Sequence, residues 1–263
     1  MFEEMKIRYF IGVTILISLS FYWILTRFDI PEELSPEFEV TAILFFGFYF
    51  YKQKTSIHMV LNDKDLYRWF PTLILMALLV NTFSLTIFWY QLYLLDHTNL
   101  ILEFPSDPVV VSSFYIIIKM IMTTVTGPIT EEFIFRGLLL NRLIKKTNMW
   151  LGILISSILF AVIHFDYELL IATFLFSIIA SLLYLKTRNL LFPILLHMFH
   201  NSIVFIQTTI FPSWQEFISV LTYSNLHTNV LFKSILLVIT SFLMVVIIVY
   251  LAKDKRTKAI RMS

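Results

Sequence analysis

Residues 109–144 read VVVSSFYIIIKMIMTTVTGPITEEFIFRGLLLNRLI. The run is apolar almost throughout, yet it holds two glutamates, an arginine and a Gly127-Pro128 step. As a helix rising 1.5 Å per residue it would be roughly 54 Å long, against a bilayer hydrocarbon core of about 30 Å. A helix of that length must tilt, overshoot or bend. Gly127-Pro128 marks the bend, because proline lacks an N–H and its ring crowds the carbonyl four residues back. The spacing predicts one kinked span here rather than a reversal of the chain.

Working outward, apolar runs of spanning character follow at Met149–His164, Glu168–Leu185, Leu190–Phe211 and Val230–Ala252, and precede it at Tyr9–Thr26, Phe38–Tyr51 and Trp69–Leu95. Trp69, Phe70, Trp89 and Tyr90 ring the third run, as aromatics do at headgroup level. The first run has no small-residue cleavage site after it, only Arg27-Phe28-Asp29, so it reads as a retained span and not a signal peptide. The chain of 263 residues is 58% hydrophobic and 14% charged, where soluble domains average about 45–50% and 25%. The expected fold is therefore all-α: a polytopic transmembrane bundle of about eight helices, a single integral membrane domain over residues 1–263. A net charge of +2 supplies no field for nucleic acid, and zero cysteines exclude disulfides, thiolate nucleophiles and cysteine-type zinc sites.

Basic residues alternate between loops. Lys6 and Arg8, then Lys52, Lys54, Lys64 and Arg68, then Arg142, Lys145 and Lys146, then Lys186 and Arg188, then the tail from Lys253 fall on one side. Residues 96–108, 165–169 and 212–229 carry no Lys or Arg. By the positive-inside rule both termini are expected in the cytoplasm, and the compact loops suit a bacterial plasma membrane.

Ionisable groups within spans are costly, about 2.5–3.5 kcal/mol each on insertion scales, so they are where function is sought. Glu131, Glu132 and Arg136 form the first group. Glu132 and Arg136 are spaced i,i+4 and can neutralise one another. Glu131 is turned about 100° away and has no such cation on its own helix, which suits a proton acceptor. The competing reading is ordinary charge at a cytoplasmic helix end. Phe160 and His164 share a face in the second group, where a lone histidine can equally be interfacial. The third group is His197, His200 and Asn201, which must face protein or water and could be only an interhelical hydrogen-bond cluster. Asn81 reads as a packing hydrogen bond. Together the three groups supply a carboxylate, imidazoles and an amide. Glu131 could take a proton from water, His164 could hold that water, and His197 and Asn201 could serve a developing oxyanion. One tension stands: by span counting, His197 lies about 12 Å and His164 about 22 Å from the cytoplasmic side.

The ordered motifs Glu131-Glu132-x-x-x-Arg136, Phe160-x-x-x-His164 and His197-x-x-x-Asn201, within about residues 109–210, resemble the CPBP family of intramembrane proteases. That family includes the CAAX prenyl endopeptidases and many bacteriocin-processing or immunity proteins. The resemblance implies a membrane bundle that hydrolyses a peptide bond in a peptide precursor or membrane-associated protein. Glu131, His164, His197 and Asn201 would be catalytic, and Glu132, Arg136 and Phe160 would shape the site. His200 is not a motif position. No cofactor is favoured. Zinc held by Glu131, His164 and His197 is the alternative, since zinc proteases use a carboxylate with two histidines. A non-catalytic immunity protein or regulator, bound to a membrane kinase or transporter, is the competing function. A proton-relaying transporter is a third, disfavoured because the polar groups cluster and do not line a path.

Overall fold

The computed structural model describes residues 66–96, 113–164, 169–210 and 229–253, with eight isolated positions between 12 and 44. Every regular element among the described residues is helical. The chain runs α1 (Leu66–Asp96), α2 (Ser113–Ile121), α3 (Gly127–Glu132), α4 (Asn141–Lys146), α5 (Met149–Val162), α6 (Leu170–Thr187), α7 (Leu191–Phe205) and α8 (Val230–Ala252). Four described segments are long and apolar enough to cross a bilayer: Leu66–Leu94, Leu170–Thr187, Leu191–Thr208 and Val230–Ala252. The fold is the expected membrane helix bundle. The expected first and second spans lie outside the described residues, apart from the isolated positions, so a count of eight is not reached on them.

Residues 113–146 stay helical without reversing. Wide π-turns at Met122–Thr126 and Phe133–Leu140 join α2, α3 and α4. The first π-turn has a local cause. Pro128 would clash with the carbonyl one ordinary turn back, and widening the turn relieves that clash. The Gly127 N–H accordingly bonds Met122 O, five residues back. A Cβ on Gly127 would stand 2.8 Å from that same oxygen, so the close turn needs glycine. In the second π-turn, Asn141 Nδ2 lies 3.0 Å from Arg136 O and 2.9 Å from Gly137 O, covering carbonyls that the wide turn leaves short of donors.

At the bundle's centre, α6 packs against α1, α5, α7 and α8. It buries Ala172, Phe176, Ser177, Ile179, Ala180, Leu182, Leu183 and Leu185 around much of its circumference, as a helix enclosed by others must. Arg188 closes it in the left-handed conformation (φ 57°), and Asn189 Oδ1 accepts from Leu191 N to start α7. Asn81 on α1 and Gln207 beyond α7 exchange amide hydrogen bonds, 3.1 Å each way, which is the packing role expected of Asn81. Outward, α8 shows Leu231, Phe232, Val238 and Phe242, a surface that lipid solvates and water does not.

Candidate active site

Glu131 and Glu132 end α3, and the π-turn that follows carries Arg136. All three charges therefore enter the bundle on one stretch of backbone. Glu132 and Arg136 form the expected i,i+4 pair, with Arg136 Nη1 donating to Glu132 Oε1 at 2.8 Å and both side chains fully buried. Arg136 Nη2 donates across the bundle to Ser177 Oγ at 3.0 Å and lies 3.3 Å from Ser177 O. Its guanidinium carbon sits 4.6 Å from the Phe160 ring centroid, a desolvated cation–π contact.

Two imidazoles converge on Glu131. His164 Nε2 lies 3.5 Å and His197 Nε2 3.9 Å from Glu131 Oε2. Each ring is held from behind through its other nitrogen. His164 Nδ1–H donates to Phe160 O at 2.6 Å, and His197 Nδ1–H donates to Glu132 Oε1 at 3.0 Å. Both Nε2 atoms are thereby left facing the carboxylate. Glu131 is 19% exposed, yet its Oε2 is buried and has no hydrogen-bond partner among the described residues.

The tension in depth between His164 and His197 is resolved here: both approach one oxygen atom. Two placements bring this about: the antiparallel hairpin of α4 and α5 sets His164 level with Glu131, and α7 starts from a buried Asn189–Leu190 step and not from an exposed turn. Glu131 lies sixteen residues before Thr147, and His164 sixteen after Asn148, so equal helical rise brings them level. At 14 residues, α5 is about 21 Å long, too short to cross a core of about 30 Å, so His164 stands at its inner end. Counting His197 from an exposed start of α7 overlooked that buried step.

Phe160 is the hub of the site. Its ring meets His164 at 4.7 Å, Phe135 at 5.0 Å and His197 at 5.9 Å. Sequence reasoning missed Phe176, which lies 4.8 Å from His197 and stacks on His200 at 5.4 Å. It also missed Ser177, the partner of Arg136 on α6. Spacing within one helix gives no signal for either residue. His200 is set behind Phe176 and not on Glu131, and its Nδ1 is buried without a hydrogen-bond partner among the described residues. Asn201 reaches another helix, where its Nδ2 donates to Thr123 O at 2.8 Å.

The donor types suit zinc; of the two imidazole–carboxylate separations, that of His164 (3.5 Å) is near the spacing zinc ligands take and that of His197 is wider. Ligands about 2.0–2.1 Å from a tetrahedral zinc stand about 3.3–3.4 Å apart, and the His197–Glu131 separation is 3.9 Å. Among the described residues no group of three or more His, Cys, Asp or Glu is arranged to hold a metal ion.

Residues 113–203 match the family described as "Type II CAAX prenyl endopeptidase Rce1-like". Among curated relatives, the protein named "Putative membrane peptidase YdiL" of Bacillus subtilis (strain 168) is 34% identical over 89 residues, 34% of this chain and 36% of that protein. An "Uncharacterized 24.3 kDa protein" of Escherichia coli is 33% identical over 37% of this chain and 50% of its own length. The "Membrane-embedded CAAX protease MroQ" of Staphylococcus aureus (strain USA300) is 33% identical over 34% of this chain and 38% of its own. The chain thus spans half or less of the length of each of these relatives. No solved structure matches it. The matched segment contains Glu131, Glu132, Arg136, Phe160, His164, His197 and Asn201, and over residues 113–203 this chain is similar to the Rce1-like CAAX endopeptidases.

Proposed function

We propose that this chain is an intramembrane endopeptidase that hydrolyses a peptide bond in a peptide precursor or a membrane-associated protein. One observation carries the reading: a buried carboxylate oxygen faced at 3.5 and 3.9 Å by two imidazole nitrogens whose rings are both pinned from behind.

A water between Glu131 Oε2 and His164 Nε2 gives a hydrogen to each and aims its lone pair at the scissile carbonyl carbon. Glu131 takes one proton as the C–O bond forms. The oxyanion receives hydrogen bonds from His197 Nε2–H and from an N–H of Asn201. The C–N bond then breaks as Glu131 passes its proton to the departing amine, giving a free amine and a carboxylic acid, which loses its own proton to water on release. For His197 to donate through both nitrogens it must be an imidazolium. Glu131, Glu132, Arg136 and a protonated His197 then sum to zero charge, the arrangement a buried site tolerates best. Glu132 acts through Arg136 and His197, and Phe160 sets the spacing of both histidines. The protein sits in a bacterial plasma membrane with both termini in the cytoplasm.

The test is a peptidome comparison in a deletion strain complemented with wild type or Glu131→Gln at matched membrane abundance. A defined fragment present only with wild type is expected, and its end names the cut. Identical profiles, with the phenotype retained by both proteins, would overturn the catalytic reading in favour of a binding role.

A further inference from the structure

Thr123 O has lost its helical partners. In an ordinary turn it would accept from Gly127 N–H, but that group bonds Met122 O instead. Continuing the same wide register, it would accept from residue 128, and Pro128 has no N–H to give. The donor that reaches it is the side chain of Asn201, from α7, at 2.8 Å. A carbonyl in an apolar bundle needs a partner, so this bond fixes Asn201 firmly. An amide nitrogen carries two hydrogens in one plane. Committing one to Thr123 O sets the direction of the other. Asn201 lies one helical turn beyond His197, whose Nε2 faces Glu131.

We infer that Pro128 and the Thr123 carbonyl are a positioning device: proline withholds a backbone hydrogen so that a freed carbonyl can orient the Asn201 amide for the reaction. Pro128 touches no reacting atom. It acts through Asn201, and this inference rests on the proposed proteolysis.

The test is Pro128→Ala, assayed in proteoliposomes on a peptide carrying the identified cleavage site. Alanine returns an N–H that competes for Thr123 O. A drop in kcat of about 10- to 100-fold is expected, with KM within about threefold, as for a misaimed transition-state donor. Because a helical bond is restored, thermal stability should equal or exceed that of wild type. In an Asn201→Ala background, Pro128→Ala should cost nothing further. The inference is overturned by full kcat in Pro128→Ala, by losses that multiply in the double variant, or by a less stable or poorly accumulating Pro128→Ala protein. Glu131→Gln separates the two failures. If it cleaves like wild type, the proteolytic reading itself fails. If it is inactive while Pro128→Ala is unimpaired, only this inference fails.

Discussion

Arg136→Met tests how the buried charges are held. The guanidinium is fully buried, donates at 2.8 Å to Glu132 and 3.0 Å to Ser177, and lies over Phe160. Methionine fills similar apolar space and removes the cation. The main cost is then the charge left behind, because Glu132 would keep only His197 as a partner. Breaking a buried pair from one side costs about 3–5 kcal/mol, whereas replacing both partners is often near neutral. The lost cation–π contact, about 2 kcal/mol when desolvated, overlaps that figure and is not added to it. At about 2–4 °C per kcal/mol for a chain somewhat smaller than this one, Arg136→Met should lower the unfolding temperature by about 6–20 °C. Glu132→Gln in the same chain removes the stranded charge, while the side-chain amide oxygen that replaces the carboxylate can still accept from His197 Nδ1–H. The double variant should therefore regain more than half of the loss. Thermal unfolding of the detergent-purified protein, followed by tryptophan fluorescence, reads all four members of the cycle. A shift under about 2 °C for Arg136→Met, or a double variant as unstable as the sum of the singles, would refute the account.

Two further outcomes follow. Under the proposed mechanism, in which Glu131 acts on water without a metal, proteolysis should stay within about twofold of its starting rate after dialysis against EDTA and 1,10-phenanthroline; a loss reversed by added zinc would instead place Glu131, His164 and His197 on a metal. Asn81→Ala breaks the reciprocal amide pair with Gln207 and should cost about 0.6–1.7 kcal/mol, the range for interhelical hydrogen bonds in membranes, with a matching coupling to Gln207→Ala in a double-mutant cycle.

Much of the site was legible because its residues violate the rule of their surroundings. Glu131, Glu132, Arg136, His164, His197 and Asn201 are polar within apolar helices, and their i,i+4 spacing told which share a face. The helical class followed from the length and apolarity of the runs. Depth was not legible. It depends on where each helix starts relative to its neighbour, and only the Thr147–Asn148 turn between α4 and α5 brings His164 level with Glu131. The π-turns were hidden too, since Gly127-Pro128 announces a bend but not which carbonyls it frees.

The partners that escaped notice share one physical property: each lies on a different helix from the group it serves. Ser177 holds Arg136 from α6, Thr123 O receives Asn201 from α7, and Phe176 separates His197 from His200. Within the bilayer a polar group has no water to fall back on, so a polar side chain on one helix obliges its neighbours to answer it. That obligation explains why two of these partners are backbone oxygens, or hydroxyls on otherwise apolar helices. A carbonyl answers a donor without adding a polar residue, and a serine in a helix costs little in lipid. Polar residues in a single sequence therefore disclose the donors and charges of such a site readily. Some of its acceptors, the Phe160 and Thr123 carbonyls among them, belong to backbone common to every helix, and only the fold reveals which of these are left open.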